Sequence, residues 1–219
     1  MNKFKTKIAV LAISFLSFVG IQSASAIEGL SIGAAVNYSG FGGTGTETKD
    51  VAGTDEIVSE HGVFDADYTS LFIEYAFADA FSLGIERHME DITTPTNTNT
   101  KNQSDNTVKA TFQNHTTLYA NINMPFNTYV KLGVIAVDVA TQENLNTGGS
   151  YNDVDTTGLT VGLGYNLTMD NGVFVRAEIS GTEYDDVSAT NQSPDGNAQK
   201  VEVTDMLGAT AAIKIGKSF

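Results

Sequence analysis

The chain has 219 residues, no cysteine, and 26 acidic against 12 basic residues, for a formal charge of −14. That balance excludes a nucleic-acid surface, which needs an excess of Lys and Arg over phosphate. The missing cysteines exclude a disulfide framework and a thiolate metal centre.

At the amino terminus, Lys3, Lys5 and Lys7 precede a short apolar run, Ile8 to Val19, and then Ala24-Ser25-Ala26. A basic start, a run too short to cross a bilayer comfortably and an A-x-A site form the pattern of a cleaved export signal. Residues 1–26 are therefore expected to be a signal peptide and 27–219 a single domain. The three lysines are the only charges before Ile27, so the remaining chain is more acidic still. No later segment has about 18 consecutive apolar residues, so any further membrane crossing has to be made by strands.

Strand patterns follow in order at 30–38, 67–77, 81–89, 108–124, 128–138, 157–167, 173–183 and 201–219. Their connections alternate in kind. Ala78-Asp79-Ala80, Pro125-Phe126-Asn127 and Thr168–Gly172 are short, the last carrying an Asn-Gly turn pair. The segments 39–66, 90–107, 139–156 and 184–200 are long and polar. This alternation predicts an all-β, eight-stranded antiparallel transmembrane β-barrel with short periplasmic turns and long outer loops.

Depth supports the same reading. From its short-turn end, the second strand presents Phe77, Tyr75, Ile73, Leu71 and Thr69 on one face before Asp67. The fifth presents Thr128, Val130, Leu132, Val134 and Ala136 before Asp138. The seventh presents Val173, Val175, Ala177, Ile179 and Gly181 before Glu183. A polar residue thus arrives after about ten positions, the length a tilted strand needs to cross hydrocarbon. Tyr75, Phe77, Phe81, Tyr165 and Phe219 fall near the turn side and Tyr38 near the loop side, as interfacial girdles do. The opposite faces carry Glu74, Glu86 and Glu178 with Lys131, Arg176 and Lys214. Three acids and three bases at similar depth predict a paired lumen network, because buried unpaired charge is costly. Small residues such as Gly33, Gly84, Gly162 and Gly164 share those faces with Phe72, Tyr119, Tyr129 and Phe174.

The last strand ends on the last residue, in Ile213-Lys214-Ile215-Gly216-Lys217-Ser218-Phe219. With this ending, the signal and the strand pattern, the whole chain resembles the small outer-membrane β-barrel family of opacity-protein and OmpA-type eight-stranded barrels. The resemblance implies that Phe219 is read by the barrel-assembly machinery. Lys217 departs from the pattern, since the family usually has an aromatic or apolar residue two positions before the end. Members serve as surface antigens, adhesins, envelope-stabilising proteins or narrow pores, and some eight-stranded barrels modify lipids.

Catalysis has little support in the residues. The mature histidines are His61, His88 and His115. His115 is followed by Thr116-Thr117 rather than a serine at the lipid A deacylase spacing, and His88 has Glu86 and Glu90 nearby but no Ser or Cys. The loop acids Glu47, Asp50, Asp55, Glu56, Glu60, Asp153, Asp155, Asp185, Asp186 and Asp195 lack a metal-loop spacing. Residues 93–100 are of low complexity and are expected to be mobile. Arg87 faces lipid by parity and is either a snorkelling rim residue or a contact for anionic lipid headgroups, unless a bulge turns it inward beside His88.

The expected role is a non-enzymatic outer-membrane protein, structural or surface-exposed, acting in envelope integrity or in surface interaction through acidic loops. Its lumen is expected to be closed by the charged network. The alternative is a narrow porin-like channel for small solutes or ions; a lipid-modifying enzyme and a secreted soluble barrel are further readings. No catalytic residue, cofactor or metal is expected. The expected partners are outer-membrane lipids, the barrel-assembly machinery and an extracellular partner met by the loops.

Overall fold

The computed structural model describes residues 28–51, 54–101, 104–144, 150–192 and 198–219. The expected signal peptide and Asp195 lie outside them. Eleven strands are present among the described residues: β1 (Leu30–Val51), β2 (Thr54–Ala78), β3 (Phe81–His88), β4 (Ile92–Thr93), β5 (Asn97–Lys101), β6 (Ser104–Met124), β7 (Thr128–Asn144), β8 (Val154–Thr168), β9 (Val173–Tyr184), β10 (Val187–Gln192) and β11 (Ala198–Ser218). They make one antiparallel sheet ordered β1-β2-β3-β6-β7-β8-β9-β11, and β11 pairs back onto β1. The result is a ring of eight strands. β4 and β5 pair with β6 beyond the end of β3, and β10 pairs with β11 beyond the end of β9.

Closure runs from Ser31↔Ser218 to Lys49↔Gln199. Phe219 adds the last two bonds. Its N–H donates to the Leu30 carbonyl at 2.9 Å, and its carbonyl accepts from the Gly29 N–H at 3.0 Å. The ring therefore leaves no free edge at its base, where an open edge would be intolerable in lipid.

Burial is inverted relative to a water-soluble domain. The outward alternation exposes Leu71, Ile73, Leu118, Val134, Leu163 and Ile179, while Glu74 and Lys214 are each only 2% exposed inside. Lipid is the solvent on the outer face, so apolar side chains belong there and polar ones belong within. At the turn end, Tyr75 meets Phe77 edge-on at 5.0 Å, and Phe77 lies 6.2 Å from Phe81.

The short turns fall where expected. Phe126 and Asn127 both have positive φ (64° and 60°), and Gly172 has φ 81°. The two-residue hairpin turns favoured by strand twist use such left-handed conformations.

The long connections differ from expectation. Ser39–Ala66 is mostly a hairpin, because β1 and β2 keep their register from Ser39↔Ala66 to Val51↔Thr54. From Thr46↔Ser59 to its tip this hairpin lies beyond the hydrocarbon and beyond the packed lumen, so no solvent difference imposes the two-residue hydrophobic alternation that marks a crossing strand. Thr44, Thr46 and Thr48 face His61, Ser59 and Ile57, and β-branched residues suit a pleated ladder even where both sides are wet. Residues 93–100, expected to be mobile, lie largely on β6 as well: Thr93 pairs with Thr111, and Asn97–Thr100 with Val108–Asp105.

β6 contains one irregularity. Its register with β7 shifts between Gln113 and Thr116, and Asn114 has φ 55°. Asn tolerates the left-handed region better than most residues.

Candidate functional site: the charged lumen

The six lumen charges come from β2, β3, β7, β9 and β11, and the ring places them together. Lys131 Nζ lies 2.9 Å from Glu86 Oε2 and 3.2 Å from Glu178 Oε1. Lys214 Nζ lies 2.8 and 3.1 Å from the same two oxygens. Two carboxylates and two ammoniums thus form a closed four-membered cycle across the barrel. Glu74 pairs with Arg176 beside it, and Asn121 donates to the other oxygen of Glu74. All six residues are buried or half-buried, and the charges sum to zero.

Polar neighbours occupy most of the remaining carboxylate lone pairs. Ser70 donates to Glu86 Oε1 at 2.6 Å and accepts from Asn37 Nδ2 at 3.0 Å. Tyr129 donates to Glu178 Oε2 at 2.7 Å. The cations also rest on rings: Lys131 Nζ is 4.4 Å from the centre of Tyr119, and the Arg176 guanidinium is 4.3 Å from that of Phe174. Such contacts stabilise a desolvated cation.

Four glycines make room for these rings. Four lumen aromatics at the level of the charges sit directly opposite glycines: Phe72↔Gly33, Tyr119↔Gly84, Tyr129↔Gly164 and Phe174↔Gly216. A Cβ on Gly164 would lie 2.1 Å from Tyr129 Cζ, and one on Gly216 would lie 2.2 Å from Phe174 Cζ. The narrow interior is filled by tilting each ring across a bare backbone.

A second layer lies above the charges. His88 and His115 stack at 3.8 Å with their planes 7° apart. Tyr68 packs on His88 at 4.1 Å, and Tyr184 Oη is 3.1 Å from His115 Nε2. Tyr68 Oη is 3.0 Å from Ser39 Oγ, which is 2.7 Å from Thr210 Oγ1. This shelf spans β11, β1, β2, β3, β6 and β9. The sequence presents both histidines as catalytic candidates, and His88 also as an inward neighbour, but does not reveal that they stack into a layer. Parity carried a signal, since His88 lies two residues above inward Glu86 and His115 two above inward Thr117.

The profile of the outer membrane protein beta-barrel domain matches residues 8–204. The chain belongs to this outer-membrane β-barrel family. OprG of Pseudomonas aeruginosa has a similar structure, at 15% identity and TM-score 0.55, with 85% of this chain and 97% of OprG covered. Neisserial surface protein A is 12% identical at TM-score 0.41, covering 88% of this chain and 98% of its own. No curated protein sequence matches the chain.

Membership in the outer-membrane β-barrel family places the chain in the bacterial outer membrane. The remaining sequence-predicted residues can be set in that frame. Arg87 points outward, opposite Leu71 and Thr116, and β3 itself has no register shift beside it. It does not turn inward beside His88. Its Nη2 donates to Asn114 Oδ1, and Asn114 Nδ2 donates to Asp138 Oδ2 at 2.6 Å. Asn114 and Asp138 follow Thr116 and Ala136 at the loop end of their strands, so Arg87 lies at the upper polar boundary. Lys217 is half-buried, and its Nζ lies 5.4 Å from the Phe219 ring centre. Its stem and charge therefore stay at the turn-side rim.

His61 sits out on the β1–β2 hairpin, its Nδ1 2.8 Å from Thr44 Oγ1. Among the described residues no group of three or more His, Asp or Glu side chains is arranged to hold a metal ion.

Proposed function

We propose that this protein is a non-catalytic, structural or surface-exposed component of the outer membrane, with a lumen closed by its charged network. The observation that carries this reading is the four-membered cycle of Glu86, Lys131, Glu178 and Lys214, each of whose charged groups meets two opposite partners within 3.2 Å. An eight-stranded ring is only just wide enough for its own side chains, and here the space also holds Phe72, Tyr119, Tyr129 and Phe174. Passage of an ion would require breaking contacts that offset the desolvation of four charges.

The histidines support the non-catalytic part. His88 and His115 are engaged with each other and with tyrosines, and His61 with a threonine. The acidic hairpins beyond the hydrocarbon, with Glu47 and Glu60 on β1–β2, offer the surface for an extracellular partner. Export through the signal at residues 1–26, recognition of Phe219 by the barrel-assembly machinery and contact of Arg87 with lipid headgroups belong to the same reading.

Planar-bilayer recording with purified protein tests the closed lumen. The expected record has no discrete conductance steps. Reproducible unitary steps would replace this reading with a narrow channel for small solutes or ions.

A further inference from the structure

Above the histidine shelf the lumen holds a partly enclosed cavity of ≈ 170 Å³. Its walls are apolar, with Phe64, Ile92, Phe112, Val139 and Met206 among them, and His115 and Tyr184 contribute the polar part of its lining. The hydroxyl of Thr94, also on the wall, already accepts from the Ala110 N–H at 3.0 Å. One polar atom is left over. His115 is 7% exposed, its Nε2 is shared with Tyr184, and its Nδ1 is buried without a hydrogen-bond partner.

We propose that this cavity binds a small uncharged amphiphile: an apolar body about the size of one benzene ring, carrying a single hydroxyl that bonds His115. Size sets the body, because an apolar cavity of about 150 Å³ stays dry and accepts benzene. His115, which lines the cavity and whose Nδ1 has no partner, sets the polar end. If Nε2 donates to Tyr184, Nδ1 needs a donor; in the other tautomer, Nδ1 needs an acceptor. A hydroxyl serves either case. A carboxylate does not fit, since the lumen cations are held below the shelf by Glu74, Glu86 and Glu178 and the walls offer no compensating charge. The site does not depend on whether the lumen conducts. A channel would overturn the closed-lumen reading and leave this one standing.

Methionine methyls give a site-specific readout. The chain has five methionines. Met1 lies in the expected signal, Met206 lines the cavity, Met89 is exposed just beyond β3, and Met124 and Met169 are exposed at the short-turn end. Protein with ¹³C-methyl methionine in lipid nanodiscs is titrated with benzyl alcohol, with toluene and benzoate as comparison probes. Met206 is expected to shift saturably, while Met124 and Met169 drift linearly with probe dissolved in lipid. Toluene should bind about fivefold more weakly, the worth of one hydrogen bond, and benzoate should leave Met206 unmoved. His115→Phe should erase the preference for the alcohol, and Ala110→Phe, which fills the cavity, should abolish saturation. Heat-modifiable gel migration checks that each variant is folded. Linear drift at Met206, or unchanged saturation in folded Ala110→Phe, overturns the proposal.

Discussion

At the residue scale, the lumen depends on mutual satisfaction rather than on any single contact. Glu86 holds both lysines, so replacing it by Gln leaves Lys131 and Lys214 sharing only Glu178. Removing one partner from a buried ion pair strands the other's charge, at a cost of about 3–5 kcal/mol. Glu86→Gln is therefore expected to lower stability by that order in urea unfolding from detergent micelles. Adding Lys214→Met should recover part of the loss, because it removes one of the two under-neutralised ammoniums. An unchanged midpoint in Glu86→Gln would mean that the cycle contributes nothing to stability. All six of these charges were legible in the sequence, since strand parity and depth put them inside at one level. Their partners were not, because pairing across the ring depends on the stagger of strands far apart in the chain. Glu86 and Lys214, 128 positions apart, meet at 2.8 Å.

At the element scale, the strands do two jobs in series. Their lower parts cross hydrocarbon and alternate apolar with polar. Their upper parts keep the same hydrogen-bond register but stand beyond it. The β1–β2 hairpin continues without interruption from Ser39↔Ala66 to Val51↔Thr54. That extension is held by its own ladder and, along β1 as far as Lys49↔Gln199, by β11, and it supplies no lumen charge. Replacing residues 47–58 by Asn-Gly joins Thr46 to Ser59 by a turn suited to a two-residue hairpin. The shortened protein is expected to insert and to keep its heat-modifiable migration. Loss of the compact species would show that the outer hairpin is needed for barrel formation. The sequence reading ended β1 near Tyr38 because a strand wetted on both faces lacks the alternation by which strands are recognised. It also took residues 93–100 as mobile. Composition alone does not register that β6, already held in the ring, offers a paired edge.

At the scale of the whole molecule, closure is the decisive event, and it joins the two ends of the barrel. β1 and β11 pair over most of their lengths, and Phe219 exchanges two backbone bonds with Gly29 and Leu30. Deleting Phe219 removes the last bonds of the seam and the aromatic terminus together. The expected result is less heat-modifiable barrel in outer-membrane fractions and more protein retained before insertion. Unchanged recovery would remove the terminal residue from the assembly signal. By itself the sequence determined the class of fold, the number of strands in the ring and which faces point outward. Those features are periodic, and a bilayer imposes one period and one depth on every strand. Tertiary structure alone decided how the six charges pair, how four rings lie across four glycines, and how His88 and His115 stack beneath a cavity. These depend on register between strands distant in sequence, which hydrogen bonding around a closed ring sets only once β11 has met β1.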